Sequence, residues 1–296
     1  MPSTRDIRRR IKSVKNTAQI TKAMQMVASA KMRKAQSAAV VGRPYAELLN
    51  EIMAETSARM VGFEHPLMTV RPVAKRLVIL VGTDRGLCGG LNSNLFREAA
   101  KLDPAATRFV TAGKKAAQFI ARTKRQLAAE FTYKDTPTFA EGRAISKFAQ
   151  DLFLKGEVDA VDILYSKFIN TLSQMPQLMP FLPIAKVPTA ATAGINPPKE
   201  LKETAPAGIR TDIFEFEPEA ETVLGELLPH SLNFQVHQIL LEAKASEQSA
   251  RMVAMKNATD NAKQIIKDLT LEYNKLRQSN ITKELLEITT AQMAVG

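Results

Sequence analysis

Between Ser3 and Val41, and again between Ser231 and Thr290, the sequence contains neither proline nor glycine. Two uninterrupted tracts of that length near opposite ends of the chain strongly limit what it can fold into, because these are the residues that most often break a helix. The apolar spacing inside each tract says which helices they are. Ile7, Ile11, Val14 and Ala18 step by 4, 3 and 4, and Met24 and Val27 extend the stripe. In the second tract Ala258, Ala262, Ile265, Leu269, Tyr273 and Leu276 step by 4, 3, 4, 4 and 3. Such a narrow stripe is a coiled-coil seam rather than the broad face of a helix lying on a globular core. At 1.5 Å per residue the tracts reach about 58 and about 90 Å. Neither helix can hide its stripe alone, so each is the natural partner of the other. A spacing near 3.5 predicts a left-handed supercoil. Small residues along both seams, including Ala28, Ala30, Ala258 and Ala262, permit close approach of the backbones. Pro44 is expected to kink the first helix or to begin a new one, "PYAELLNEIMAETSARM".

The middle of the chain has a different period. "KRLVILVG" reads as a buried strand followed by a helix, "LNSNLFREAAKL". "TRFVTAG" then reads as a strand, and "KKAAQFIARTK" and "FAEGRAISKFAQDLFLKG" as helices. "AVDILYSKFI" and "PQLMPFLPIAKV" read as further strands, and "IRTDIFEFEPEAET" as a last one. Strands alternating with helices predict a mostly parallel sheet covered on both faces. The stretch 188–208, rich in Pro, Ala and Thr, reads as an exposed loop. The expected fold class is therefore α/β: a long antiparallel coiled coil of the N- and C-terminal helices with an inserted Rossmann-like α/β domain. The expected boundaries are 1–60 for the first helical part, 73–216 for the α/β domain and 217–296 for the returning helix.

Charge is unevenly distributed. The first 43 residues carry eleven Lys/Arg and one acid, Asp6, a net +10, whereas the other 253 residues carry 30 bases and 29 acids, a net +1. Arg8, Arg9, Arg10, Lys12, Lys31, Arg33 and Lys34 form the expected basic face. Nucleic acid, anionic lipid or an acidic protein surface would each suit such a segment. An Arg-rich transit peptide is a fourth reading, but a transit peptide would not normally continue without interruption into a coiled-coil seam. No run approaches the roughly 18 apolar residues of a membrane span, and no apolar signal region follows the N-terminus. One cysteine, Cys88, rules out an intramolecular disulfide framework and suits a reducing compartment.

Candidate chemistry centres on "GTDRGLCGGLNSNL", residues 82–95, where a strand, a glycine turn and a helix present Cys88. The loop is neither G-x-G-x-x-G nor a Walker A motif. A cysteine nucleophile needs a nearby base, and His65, His230 and His237 all fall outside the α/β core as read above. The glycines are better read as backbone turns and Cys88 as a small space-filler, with contact to a partner left open. His230 and His237 lie two turns apart, about 10.5 Å along a helix, too far to share one metal. Glu215, Glu217, Glu219 and Glu221 lack the convergence of a ligand set. No catalytic, cofactor or metal constellation emerges. Basic residues leading into a heptad seam suggest, as an alternative, a nucleic-acid binder of leucine-zipper type. In those proteins, however, the basic region precedes a parallel dimer zipper, whereas here the seam begins at Ile7 inside the basic run.

Four blocks carry a specific resemblance: "DIRRRIKSVKNTAQITKAMQMVASAKMRKAQ", "GLCGGLNSNL", "LLEAKASEQSARMVAMKNATDNA" and "LTLEYNKLRQSNITKELLEI". In order and spacing they resemble the γ subunit of F-type ATP synthases, while residues from about 120 to 210 are less diagnostic. The resemblance implies a non-catalytic rotor shaft whose coiled coil threads a hexamer of α and β subunits. It implies an α/β domain that sits with ε on the membrane ring of c subunits, proton-driven rotation, and nucleotide chemistry confined to β. It implies no cofactor and no nucleic-acid partner. By resemblance, Met24, Cys88, Arg251, Gln278 and Thr282 lie nearest the acidic lever of β, with the Arg251 head group facing it, and the ending "ITTAQMAVG" forms the tip in an apolar bearing. That ending departs from the Gly/Ala-rich tail usual in the family. The two-cysteine thiol switch of chloroplast-type chains is absent, since Cys88 stands alone. A bacterial chain, peripheral on the cytoplasmic side of the plasma membrane, is the expectation.

Overall fold

The computed structural model describes residues 3–58, 65–184 and 220–295. They fall into two compact units, one of Met1–Ala30 with Arg251–Gly296, the other Lys31–Ala250. Helices α1 (Thr4–Val41) and α6 (Ala220–Val295) contribute to both.

In the first unit α1 and α6 pair antiparallel. Ser3 opens α1: its hydroxyl accepts from the Asp6 amide and donates to the Asp6 carboxylate, reciprocal contacts that satisfy donors at the helix start. The seam positions of α1, all buried or half-buried, are Ile7, Ile11, Val14, Ala18, Thr21, Gln25 and Ala28. On α6 they are Met255, Thr259, Ala262, Ile266, Leu269, Tyr273 and Leu276. Both sets alternate steps of 4 and 3 without a break, a heptad seam. Two contacts show the antiparallel register: Thr21 Oγ1 lies 2.7 Å from Thr259 Oγ1, and the Arg8 guanidinium donates to the Tyr273 hydroxyl, 5.4 Å over its ring. Three seam assignments made from the sequence need correction. Val27, Ala30 and Ile265 are exposed, and inward positions beside them belong to Ala28 and Ile266. A strict 3.5-residue repeat passes one residue to the side of Val27 and of Ile265.

The second unit is built on a five-stranded sheet in the order β3-β2-β1-β4-β5. Its strands are β1 (Arg76–Val81), β2 (Thr107–Ala112), β3 (Gln126–Phe131), β4 (Ala160–Phe168) and β5 (Gln174–Leu182). The first four run parallel and β5 returns antiparallel to β4. Helices α3 (Leu91–Lys101) and α4 (Lys114–Arg122) cover one face, where Leu95 and Ile120 pack on Val78, Leu80 and Phe109. Ile145 and Phe153 of α5 (Phe139–Leu154) and Leu228, Val236 and Leu240 of α6 pack with Leu77, Ile79 and Val81 on the other. Burial on both faces is why "RLVILV" is apolar without alternation. Short α2 (Arg43–Ala58) adds Leu49 and Met53 to this second core, and begins just after Gly42 with Pro44 in its first turn.

Two strands differ from the sequence reading. Strand β3 was not anticipated, because "QLAAEF" lies at a sheet edge, half exposed and without β-branched residues. Strand β5 starts at Gln174, before Pro176, and its prolines are tolerated because it too is an edge. Helix α6, within the expected 217–296, runs from Ala220 and carries Pro229 internally. The lost backbone hydrogen bond is offset by full burial of Leu224, Leu228 and Leu232 on either side of the proline. Residues 220–222 thus open a helix, while the loop 188–208 and the remainder of the expected last strand lie outside the described residues.

Candidate partner-binding surfaces

The turn after β1 can be built from its residues. Gly82 packs so closely on α4 that an added Cβ would meet Ala116 Cβ at 2.9 Å. Gly113, at φ +105, lies over the Gly82 carbonyl in a conformation that an L side chain rarely adopts. Leu87 and Gly89 then take the left-handed conformation in quick succession, with φ of 63 and 59. Asn92 of α3 donates through Nδ2 to Thr83 Oγ1 at 2.7 Å and reaches Cys88 Sγ at 3.5 Å, and the Thr83 hydroxyl donates to the Arg85 carbonyl.

The turn buries its thiol, in keeping with Cys88 as a small space-filler and against direct contact of the thiol with a partner. Cys88 is only 2% exposed, so it is not open to a substrate. Leu87, 63% exposed, and exposed Arg85 face outward instead. A leucine held at positive φ and exposed to water is what a packed loop tolerates only under constraint from its neighbours.

The histidines are packing elements. His230 Nε2 and the Tyr45 hydroxyl are 2.7 Å apart, and Phe139 lies against both His230 and His237. Burial lowers the pKa of His237, partly opposed by the Thr138 backbone and Glu141. His65 accepts from the Leu67 amide at the start of a short 3-10 turn, Pro66–Met68. Among the described residues no group of three or more His, Cys, Asp or Glu is arranged to hold a metal ion.

The other residues singled out from sequence do not form one surface. Met24 is half-buried in the first unit. Arg251 is 9% exposed, so little of it is open to a partner, contrary to an outward-facing head group. Gln278 and Thr282 are exposed on α6, where the Thr282 hydroxyl donates to the Gln278 carbonyl. From Arg251 to Gln278 the helix rises about 40 Å, so these positions serve different levels. Of the basic face, Arg9, Arg10, Lys12, Arg33 and Lys34 are exposed, while Arg8 is engaged by Tyr273 and Lys31 by Asp135.

Two features were missed from sequence. One is the end of the pairing: past Leu276, α6 runs on with every residue from Arg277 to Met293 exposed, including Ile281, Leu285, Leu286, Ile288 and Met293. The heptad positions there become Asn280, Lys283, Glu287 and Thr290, a signal readable in the sequence. The other is an ion-pair cluster in which Lys244 and Glu247 are buried and Asp135 is exposed. Lysine and glutamate three apart inside "LLEAKASEQ" gave only a weak hint of it.

The chain thus combines an antiparallel helical pair with an α/β unit that buries its one thiol. Comparison with known proteins gives it a family. The ATP synthase family model matches residues 3–295. The ATP synthase gamma chain of Opitutus terrae is 48% identical over 301 residues, covering 100% of both chains, and that of Methylacidiphilum infernorum is 47% identical over the same span. The fold is similar to a chain of the Euglena gracilis mitochondrial ATP synthase, with a TM-score of 0.66 at 21% identity over 99% of this chain and 94% of that one. A chain of the Tetrahymena thermophila mitochondrial ATP synthase central stalk and c-ring gives a TM-score of 0.58 at 25% identity, covering 81% of this chain and 99% of that one. The chain belongs to the ATP synthase gamma-chain family. It is the non-catalytic central shaft of the rotor, with the catalytic sites on the β subunits, and it works among the other subunits of the synthase. Chains of this family are peripheral to the membrane, and among the described residues no helix is long and apolar enough to cross one. The nucleic-acid reading gains no support from these matches.

Proposed function

We propose that the first unit turns inside a hexamer of α and β subunits, and that the second meets ε and the ring of c subunits, at the cytoplasmic face of a bacterial inner membrane with protons as the driving ion. The single observation that carries this reading is the solitary end of α6. Residues 277–295 hold Ile281, Leu285 and Ile288 on one stripe, exposed, with no heptad continuation to attract a second helix. Such a segment needs an apolar collar supplied by other chains. Level by level, the contacts to β are Met24, the exposed part of Arg251, Gln278, Thr282, and the β1–α3 turn through Arg85 and Leu87 above buried Cys88. The exposed bases of α1 pair with acidic loops of β, setting orientation and rate of assembly more than raw affinity.

Mixing the full chain with α and β subunits tests this. A stable complex with ATPase activity raised at least tenfold over α and β alone is expected. Failure to join the hexamer, or joining without effect on activity, would overturn it.

A further inference from the structure

The cluster around Lys244 belongs to no surface described above, yet it ties together separate parts of the second unit. Lys244 is 2% exposed, on the stretch of α6 that is buried on almost every side. Its ammonium group lies 3.0 Å from Glu247 Oε2, 3.5 Å from Asp135 Oδ1, and 5.3 Å from the centre of the Tyr133 ring. The other oxygen of Asp135 accepts from Lys31 of α1 at 2.6 Å. Tyr133 is itself buried, and its hydroxyl donates to the Gly82 carbonyl at 2.9 Å. That carbonyl is the first acceptor past the end of β1, at the root of the turn that displays Leu87.

A buried ammonium is costly to desolvate, and removing one partner of such a group costs far more than the pair contributes in sum. Lys244 therefore demands both its carboxylate partners and the face of Tyr133. Meeting that demand fixes Asp135 and Tyr133, the residues that follow β3, against α6. Asp135 is held as a carboxylate by the Lys31 hydrogen bond, against a smaller opposing effect of burial, and Lys244 adds to this. The result is one connected path: α1 through Lys31, the segment after β3, α6 through Lys244, and the root of the β1–α3 turn through the Tyr133 hydroxyl.

We propose that Lys244 is a positioning residue that sets the β1–α3 turn against the long helices, by orienting Tyr133 so that its hydroxyl pins the Gly82 carbonyl. In the rotor the turn then moves with the helices as one body instead of yielding when it meets a partner, a consequence that rests on the reading of the turn as a contact with β. Cys88, six residues beyond Gly82, provides a native reporter because it is the only cysteine and is buried.

The test uses the assembled complex with α and β, following alkylation of Cys88 by mass spectrometry of this chain. Lys244→Met keeps the volume and removes the charge. Tyr133→Phe keeps the ring and removes only the hydroxyl, so a role limited to hydrophobic filling would leave its alkylation rate unchanged. Both variants are expected to raise the rate tenfold or more, Asp135→Asn about threefold, and Lys244→Arg less than twofold. Lys101→Ala, which breaks an exposed ion pair with Glu98, is expected to match the parent chain. If Lys244→Met does not assemble, Tyr133→Phe alone decides. Parental alkylation rates in Tyr133→Phe, or in an assembled Lys244→Met, would overturn the proposal whatever the turn touches. Faster alkylation with undiminished coupling of ATP hydrolysis to proton pumping would instead uphold the positioning role and sink the reading of the turn as a contact.

Discussion

Helix α6 is one continuous element in three settings, and comparing them shows where its stability and its function reside. From Val236 to Ala250 it is buried on nearly all sides within the second unit. From Met255 to Leu276 it buries one side against α1, and past Leu276 it buries nothing. Helix propensity is similar throughout, so the neighbours decide what each stretch contributes. The fully buried stretch anchors the fold and can accommodate a charged pair. The seam accepts alanine and threonine so that two backbones approach closely, and the solitary end keeps its apolar residues for other chains.

Substitutions along this one helix should break or sharpen the contrast. Leu240→Ala, at a fully buried site, is expected to cost about 2–5 kcal/mol in urea unfolding of the full chain. Leu269→Ala in the seam should cost about 1–2 kcal/mol, because one side of a two-helix interface stays close to water. Equal losses at the two sites would contradict the contrast. Gly142→Ala probes the buried setting from the facing helix. Its new methyl would lie 2.9 Å from both Cα and Cβ of His237, and a loss of about 1–3 kcal/mol is expected by the same assay. Thr21→Val removes the hydroxyl contact with Thr259 and should cost about 1 kcal/mol, leaving Thr259 its hydrogen bond to the Met255 carbonyl. Ile281→Ala should change chain stability by less than about 0.5 kcal/mol yet weaken assembly with α and β, seen as a faster loss of the chain from the complex on dilution. A large stability loss there would mean that the end is already packed within the chain.

The smallest effect concerns pH. Burial holds the folded pKa of His237 below its usual 6.5. The unfolded chain therefore binds a proton that the folded chain refuses, and stability falls as pH drops from about 6.5 toward the folded value. His237→Gln should flatten that part of a denaturation profile between pH 7 and 5. An unchanged slope would show that His237 titrates as it would in water.

What could be read from sequence follows the same division. The paired helices and the central strands were legible because one seam and two covered faces impose periods of 3.5 and of continuous apolarity on the residues themselves. Val27 and Ile265 were misplaced by one position, since apolar residues stand beside the true heptad sites and only the partner helix chooses between them. Strand β3 was invisible because an edge asks little of its side chains. The turn at Gly82–Gly90 was legible as a turn, but which of Leu87 and Cys88 faces outward depends on a positive φ that glycine neighbours do not announce. The Lys244 cluster depends on residues more than one hundred positions apart, and no local pattern contains it.

The most direct test of a shaft is to watch it turn. With the hexamer fixed to a surface and a bead on an introduced cysteine at exposed Arg122 of α4, ATP should drive rotation in one direction. Steady ATP hydrolysis by the same complexes with the bead stationary, or moving without a preferred direction, would contradict the account.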